Sequence, residues 1–437
     1  MTTQDVSLGA VMRAMSALLF GVAILNVGSG ALMAVIGLRL SAEGTSSLLI
    51  GVIMSAYFAG LTVGALFGTR IINRVGHIRA FAVYAAIGAV ATLLLAIVGW
   101  LFAWVVLRFV AGYCMAGLTM TAESWLNHRA TNATRGRTLS LYIIVMNAAF
   151  ATGPLLLNVA DPGGVEILIV AGMLFVAGLV PVALTRTGNP QIAEQRRLSL
   201  RELLEIAPLG VLGALTIGVV EGAFFGLGAV FGEAAGLGTA RISLFLAVTV
   251  GGVLVMQYPV GALSDRFDRE KVILAVAALS GMAALAIAVT PALSFPALLA
   301  LGFVMGGLSS PLYPLNVAEA NDYLKPDELV PASAAIVLAY SIGASTGPIA
   351  AAVMMEALGA GGLFIFIALV LFALAGYTTF RVINGLAKPA EEQTEFWSAS
   401  WVSPVAAELD PRAPDDPAYD LTAAAYDEAG WNDRPAS

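Results

Sequence analysis

Residues 14–38 read AMSALLFGVAILNVGSGALMAVIGL, a run without a charge in which Ser16, Asn26 and Ser29 carry the only polar side chains. A bilayer needs about 20 apolar residues per helical crossing. In lipid every backbone amide must be paired within its own segment, so such a run is read as a helix. It is too long for the core of a signal peptide and no small-residue cleavage site follows it, so it counts as the first span. Working outward, the pattern returns over 48–69, 80–99, 101–125, 138–160, 165–185, 207–231, 242–263, 272–290, 295–318, 332–354 and 362–383. A chain that is 59% hydrophobic and 12% charged cannot cover one water-soluble core of 437 residues. The expectation is an all-α membrane protein of twelve transmembrane helices.

The net charge of −7 is unevenly spread. Residues 384–437 carry eleven acids against Lys388, Arg412 and Arg434, which leaves the apolar body close to neutral. Lys and Arg mark the cytoplasmic loops. With the N-terminus inside, the inner loops hold Arg70, Arg74, Arg79, Arg129, Arg135, Arg137, Arg186, Arg196, Arg197, Arg201, Arg266, Arg269, Lys271 and Lys325; the outer loops hold Arg39 and Arg241. An odd number of spans would destroy that asymmetry, so both termini are placed in the cytoplasm of a cell whose inner membrane the chain crosses. The tail from 384 is Pro-, Ala- and acid-rich, and is expected to be disordered. Cys114 is the only cysteine and lies in a span, so no disulfide framework is expected.

The polar stretch 186–206 divides the spans six and six, and the halves repeat. Asn73-Arg74-Val75-Gly76 follows span 2 and Asp265-Arg266-Phe267-Asp268 follows span 8, 192 positions later. Gly153-Pro154 in span 5 matches Gly347-Pro348 in span 11, and Arg108 to Gly112 in span 4 faces Gly302 to Gly306 in span 10. The reading is two six-helix repeats around a central cavity: 1–185, a linker over 186–206, 207–383, and the tail 384–437. Parallel repeats of this kind build alternating-access carriers.

At these residues the chain resembles the major facilitator superfamily, over roughly residues 14–383. The family's loop signature, Gly-x-Leu-x-Asp-Arg, stands as Gly261 to Arg266; the first-half copy has Asn73 in place of the acid and keeps Arg74, Gly76 and Arg79. The span 4 signature appears as Arg108 and Gly112, and the span 5 antiporter signature is partial, with Leu157 where a second Gly is usual. Arg108 to Gly112, Glu123-Ser124 and Leu312-Tyr313-Pro314 look like the YcaD-like branch. The resemblance implies that spans 1, 4, 7 and 10 line the cavity, that Asp265, Arg266 and Arg269 (weakly, Asn73, Arg74 and Gly76) gate the cytoplasmic ends, and that the protein is a monomer.

An ionisable side chain at membrane depth is costly and usually faces a wet cavity. Four qualify: Arg108 and Glu123 in span 4, Glu221 in span 7 and Glu319 at the end of span 10, the last read as a helix-end charge. Span 1 offers Asn26. Glu221 and Arg108 are roughly 15 and 10 Å from the outer ends of their spans, at about 1.5 Å per residue, so they are expected to approach across the cavity. Desolvation favours a neutral carboxyl and a nearby guanidinium a charged one; alternation between the two would load and release a proton, against the blander reading of a static ion pair. Glu123 is read as an inner gate or proton exit, or as a capping carboxylate. Arg108, Gly112, Met115, Thr119 and Glu123 form one stripe of span 4. Met33, Met115, Met120, Phe224, Phe225 and Met305 give adaptable apolar walls or lipid-facing packing, and Tyr313 is counted among the cavity residues. Tyr313-Pro314 is expected to interrupt span 10, and Gly153-Pro154 and Gly347-Pro348 to bend spans 5 and 11. Gly60, Gly64, Gly68, Gly343 and Gly347 read as helix-packing ridges.

No cluster has metal-ligand spacing and no Gly-rich Lys-Ser/Thr loop would cradle nucleotide phosphates. No cofactor, metal, nucleic acid or enzymatic chemistry is expected, and a gradient must supply the energy. The reading is a proton-coupled secondary transporter of a small organic molecule, with export by antiport ahead of import by symport. A receptor or scaffold acting through the tail, or a lipid scramblase, are the alternatives.

Overall fold

The computed structural model describes residues 8–129, 135–184, 198–290, 293–394, 396 and 403–405. Most of the linker (186–197) and the tail beyond 405, with Trp397, Trp401, Tyr419, Tyr426 and Trp431, lie outside them. Among the described residues, twelve helices are long and apolar enough to cross a membrane: spans 1 (Leu8–Ala42), 2 (Ser47–Val75), 3 (His77–Ile97), 4 (Leu101–Arg129), 5 (Arg135–Thr152), 6 (Glu166–Ala183), 7 (Pro208–Ala234), 8 (Thr239–Ser264), 9 (Arg269–Val289), 10 (Phe295–Ser309 with Leu312–Asn321), 11 (Leu329–Leu358) and 12 (Gly362–Ile383). The protein is an all-α bundle of two six-helix repeats. Within the expected linker, Leu200–Ile206 is a short helix started by a Ser199–Glu202 capping box.

Small residues set the packing inside each repeat, and they do so at equivalent positions. A Cβ on Gly112 (span 4) would lie 1.9 Å from the Tyr57 carbonyl oxygen of span 2. Its counterpart on Gly306 (span 10) would lie 2.3 Å from the Thr249 oxygen of span 8. Gly153 meets Val27 O of span 1 at 2.6 Å, and Gly347 meets Val219 O of span 7 at 2.3 Å. Tyr57 and Thr249, like Val27 and Val219, are 192 positions apart. The duplication read from loop motifs therefore extends to backbone contacts. Gly60, Gly64 and Gly343 serve the same close crossings, as their spacing suggested.

The bends differ in kind. Span 5 changes from α-helix to a 3-10 turn, Gly153–Asn158, with Pro154 in its first turn. Span 11 continues through Pro348. Span 10 is broken, but at Ser310-Pro311 rather than at Tyr313-Pro314. Pro311 caps the second piece, and Pro314 falls in its first turn, where no N–H is required.

The repeats meet mainly through spans 2 with 11, 5 with 8, and 1 with 7. At the face opposite the start of span 1 and the end of span 12, called the far face, these pairs touch: the Leu48 amide donates to Glu356 Oε1 at 3.0 Å, Asn158 Nδ2 donates to Ser243 Oγ at 2.8 Å, and Gly51 packs on Pro348. At the tail face the chain does not leave the body after Ile383. Tail residues expected to be disordered are hydrogen-bonded to it as far as Phe396 and again at Pro404. Burial of apolar Phe396 and Val405 against the body, with body carboxylates accepting tail amides, is what an overall composition count could not reveal.

Candidate functional site

Between the repeats lies a cavity of about 1070 Å³, its mouth included, walled by spans 1, 2, 4, 5, 7, 8 and 10. Asn26, Ser29, Tyr57, Met115, Asn147 and Phe150 face it from the first repeat; Glu221, Phe224, Phe225, Gln257, Met305, Ser310 and Tyr313 face it from the second. Glu221 is the only charged side chain among the lining residues described.

Two hydroxyls hold that carboxylate. Ser310 Oγ donates to Oε1 at 2.7 Å and Tyr340 Oη donates to Oε2 at 2.6 Å. Each partner follows from local structure. The break in span 10 turns Ser310 toward span 7, and Gly218 and Gly222 let span 11 approach so closely that a Cβ on Gly218 would sit 2.0 Å from the Tyr340 carbonyl oxygen. Tyr340 in turn meets the Tyr313 ring edge-on at 5.3 Å. Glu221 is 6% exposed, and among the described residues no cation pairs with it.

The expected meeting of Glu221 and Arg108 does not occur in this conformation. Arg108 is 1% exposed, lies 4.4 Å from the centroid of the Tyr57 ring and directs Nη2 to Met33 Sδ at 3.2 Å. The Tyr57 ring fills the place where a carboxylate was expected, and Tyr57, not Arg108, reaches the cavity. A cation over an aromatic face gains about 2 kcal/mol when desolvated, which offsets part of the cost of burying the guanidinium.

Of the other span 4 candidates, Met115 lines the cavity, whereas Gly112, Thr119 and Glu123 do not. Gly112 is consumed by the crossing with span 2. Glu123 is fully buried, and Tyr142 of span 5 hydrogen-bonds both Glu123 and Thr119. Asn26, Phe224, Phe225 and Tyr313 are lining residues as expected. Tyr57, Asn147, Gln257, Ser310 and Tyr340 were missed, because four of the five lie on spans 2, 5, 8 and 11, outside the four helices taken to line the cavity. For Ser310, the adjacent Pro311 was the available signal.

The gating residues divide. In the first-half loop Gly76 adopts φ 87°, a left-handed turn between spans 2 and 3 that glycine permits; Arg74 is exposed and Asn73 half-buried. In the second-half loop Arg266 is exposed, and Asp265 accepts the Phe396 amide at 2.8 Å. Arg269 is buried, ion-paired with Asp322, and donates to Ser264 Oγ at 3.0 Å, Ala318 O at 3.0 Å and Thr394 O at 2.5 Å. In this conformation, in which the far face is closed, Asp265 and Arg269 thus bind the tail and span 10; the lock was expected for the state in which that face is open. Beside them Arg381 pairs with Glu270 at 2.8 Å and Glu319 at 3.4 Å, all three buried. Glu319, in the last turn of span 10, is thus a member of a buried ionic cluster rather than an ordinary exposed helix-end charge. Lys271 beside Asp268 holds that carboxyl below its usual range, and burial pushes Tyr323 up to about 12, so its hydroxyl keeps the proton it donates to Leu386 O at 3.2 Å.

Comparison with known proteins agrees with this architecture. The Major Facilitator Superfamily model matches residues 18–253 and 211–408. The chain belongs to the major facilitator superfamily. It is 31% identical over 366 residues to the MFS-type transporter YcaD of Escherichia coli, covering 82% of this chain and 94% of that protein, and 30% identical over the same length to YcaD of Escherichia fergusonii. Among solved structures it is similar to a point mutant of the nucleoside transporter NupG (TM-score 0.72, 13% identity, 84% of this chain and 98% of that one). A bacterial homologue of the human lysosomal transporter Spinster, inward-facing and occupied, gives a TM-score of 0.68 at 14% identity, over 89% and 98%. At these identities the two structures speak for the superfamily fold alone. The protein is a multi-pass membrane transporter of that superfamily.

Proposed function

We propose that this superfamily member exchanges protons for an organic cation with an apolar body, exporting it by alternating access across the inner membrane, with both termini cytoplasmic. The observation that carries the reading is the isolation of Glu221. A buried carboxylate without a counter-charge is costly, and here the acceptor oxygens are met only by neutral hydroxyls. A proton or a cationic ligand relieves that cost, and the two exclude one another at one carboxylate. Mutual exclusion at a site that faces alternate sides is an exchanger. Phe224, Phe225 and Tyr57 supply aromatic faces for the cation, while Met115 and Met305 adapt to its apolar part.

In this reading Arg108 acts at one remove, fixing the Tyr57 ring that walls the cavity. Glu123, with Tyr142, is a second proton stop between the cavity and the tail face. Import by symport would instead bind substrate and proton together; for an anionic substrate the described lining residues offer no cation, whereas for a neutral one a protonated Glu221 would serve.

Tetraphenylphosphonium is a fitting probe, being a monovalent apolar cation that carries no proton of its own. In proteoliposomes, a pH gradient should drive its accumulation by the unmodified protein, and Glu221→Gln should abolish the pH-driven part while the protein remains folded. Equal pH-driven accumulation in both would reject the assignment of Glu221.

A further inference from the structure

The first residues after span 12 form a strap across the tail face. Lys388 Nζ donates to the Asp322 carbonyl at 2.6 Å, and the Ala390 amide to Asp268 Oδ1 at 3.2 Å. The Thr394 amide and hydroxyl both donate to Asp322 Oδ1, at 2.9 and 2.8 Å, and the Phe396 amide to Asp265 Oδ1 at 2.8 Å. Three body carboxylates thus grip tail backbone, and the Phe396 ring lies over Gly261, where a Cβ would come within 2.5 Å of it. The loop signature of the second repeat is occupied by the chain's own tail.

Farther along, Ser403 and Val405 are 1% and 4% exposed. Ser333 Oγ of span 11 donates to the Pro404 carbonyl at 3.1 Å. Pro404 closes a groove whose walls are Thr62, Ala65 and Leu66 of span 2 and Ala334, Val337 and Leu338 of span 11. Spans 2 and 11 are in direct contact at the far face, whereas at the tail face Pro404 stands between them.

We propose that residues 403–405 are a wedge, strapped down by residues 388–394 and Phe396, that occupies the tail-side groove between spans 2 and 11 and holds the transporter with that mouth apart. If the two repeats rock to open the far face, the tail-side halves of spans 2 and 11 must approach, and the wedge sits in their path. Its release permits the change; its docking prevents it. The wedge is an autoinhibitory contact, independent of what the cavity carries or of Glu221.

The test needs no substrate. The single native cysteine, Cys114, is buried, so introduced cysteines report alone. In the full chain carrying Ser333→Cys and Pro404→Cys, mild oxidation should form an intramolecular disulfide in most molecules. Spin labels at Arg74→Cys and Asp327→Cys, exposed near the tail-side ends of spans 2 and 11, should give one distance in the full chain. Adding Phe396→Ala and Val405→Asp, which alter only the tail, should add a shorter distance as the mouth closes. Failure of the 333–404 disulfide to form, or identical distance distributions with and without the tail substitutions, would overturn the proposal.

Discussion

The role proposed for Glu221 rests on its neighbours. The equivalent position in the first repeat is Ser29, 192 residues earlier, which lies 3.5 Å from the Tyr57 hydroxyl. One repeat therefore supplies a neutral hydroxyl where the other supplies a carboxylate, and a single charge suffices for the exchange proposed. The buried charges were legible in the sequence because an acid or Arg in an apolar helix is conspicuous. Their partners were not. Ser310 and Tyr340 look like any polar residue of a membrane helix, and whether Arg108 meets a carboxylate or an aromatic ring is decided by packing that periodicity does not carry. The cluster around Arg381 makes a separate claim about stability. Removing one member of a buried ionic group leaves uncompensated charge and typically costs about 3–5 kcal/mol. Arg381→Ala strands Glu270 and Glu319 together, and should lower the melting temperature in detergent well below that of Arg39→Ala, whose pair with Glu43 is half-exposed. Similar melting of the two variants would show that the cluster is hydrated or neutral.

At the scale of elements, the twelve spans and the six-and-six division could be read from length and charge, and so could the Gly-Pro bend of span 5. The break in span 10 was misplaced by three residues. Two prolines in one turn region, Pro311 and Pro314, leave the choice to which can start a helix, and that depends on the carbonyls its neighbours offer. The crossings of spans 2 with 4 and 8 with 10 rest on glycine at the contact. Gly112→Ala drives a methyl into the Tyr57 carbonyl and should destabilise by about 1–3 kcal/mol, the usual range for overpacking. Gly251→Ala, with nothing within 4 Å of its Cβ position, should be neutral. Thermal unfolding of the two variants side by side separates them; equal stability would mean that spans 2 and 4 are not held at this distance.

For the whole molecule, closure of the far face follows from contacts between repeats that no motif announced. Only their partners, spans 2 with 11 and 5 with 8, place Leu48 against Glu356 and Asn158 against Ser243. Joining Leu48→Cys to Glu356→Cys with a short, reducible thiol cross-linker should stop tetraphenylphosphonium transport, and reduction should restore it. Unimpeded transport in the cross-linked protein would rule out rocking about this contact. The central claim is narrower still: one carboxylate that holds either a proton or the transported cation. Its most direct measurement is proton release by purified protein in weakly buffered detergent as tetraphenylphosphonium is added, over a pH series. The unmodified protein should release about one proton per cation bound at pH values where Glu221 is protonated beforehand, and Glu221→Gln should release none. Cation binding without proton release at every pH, or equal release from Glu221→Gln, would contradict the account.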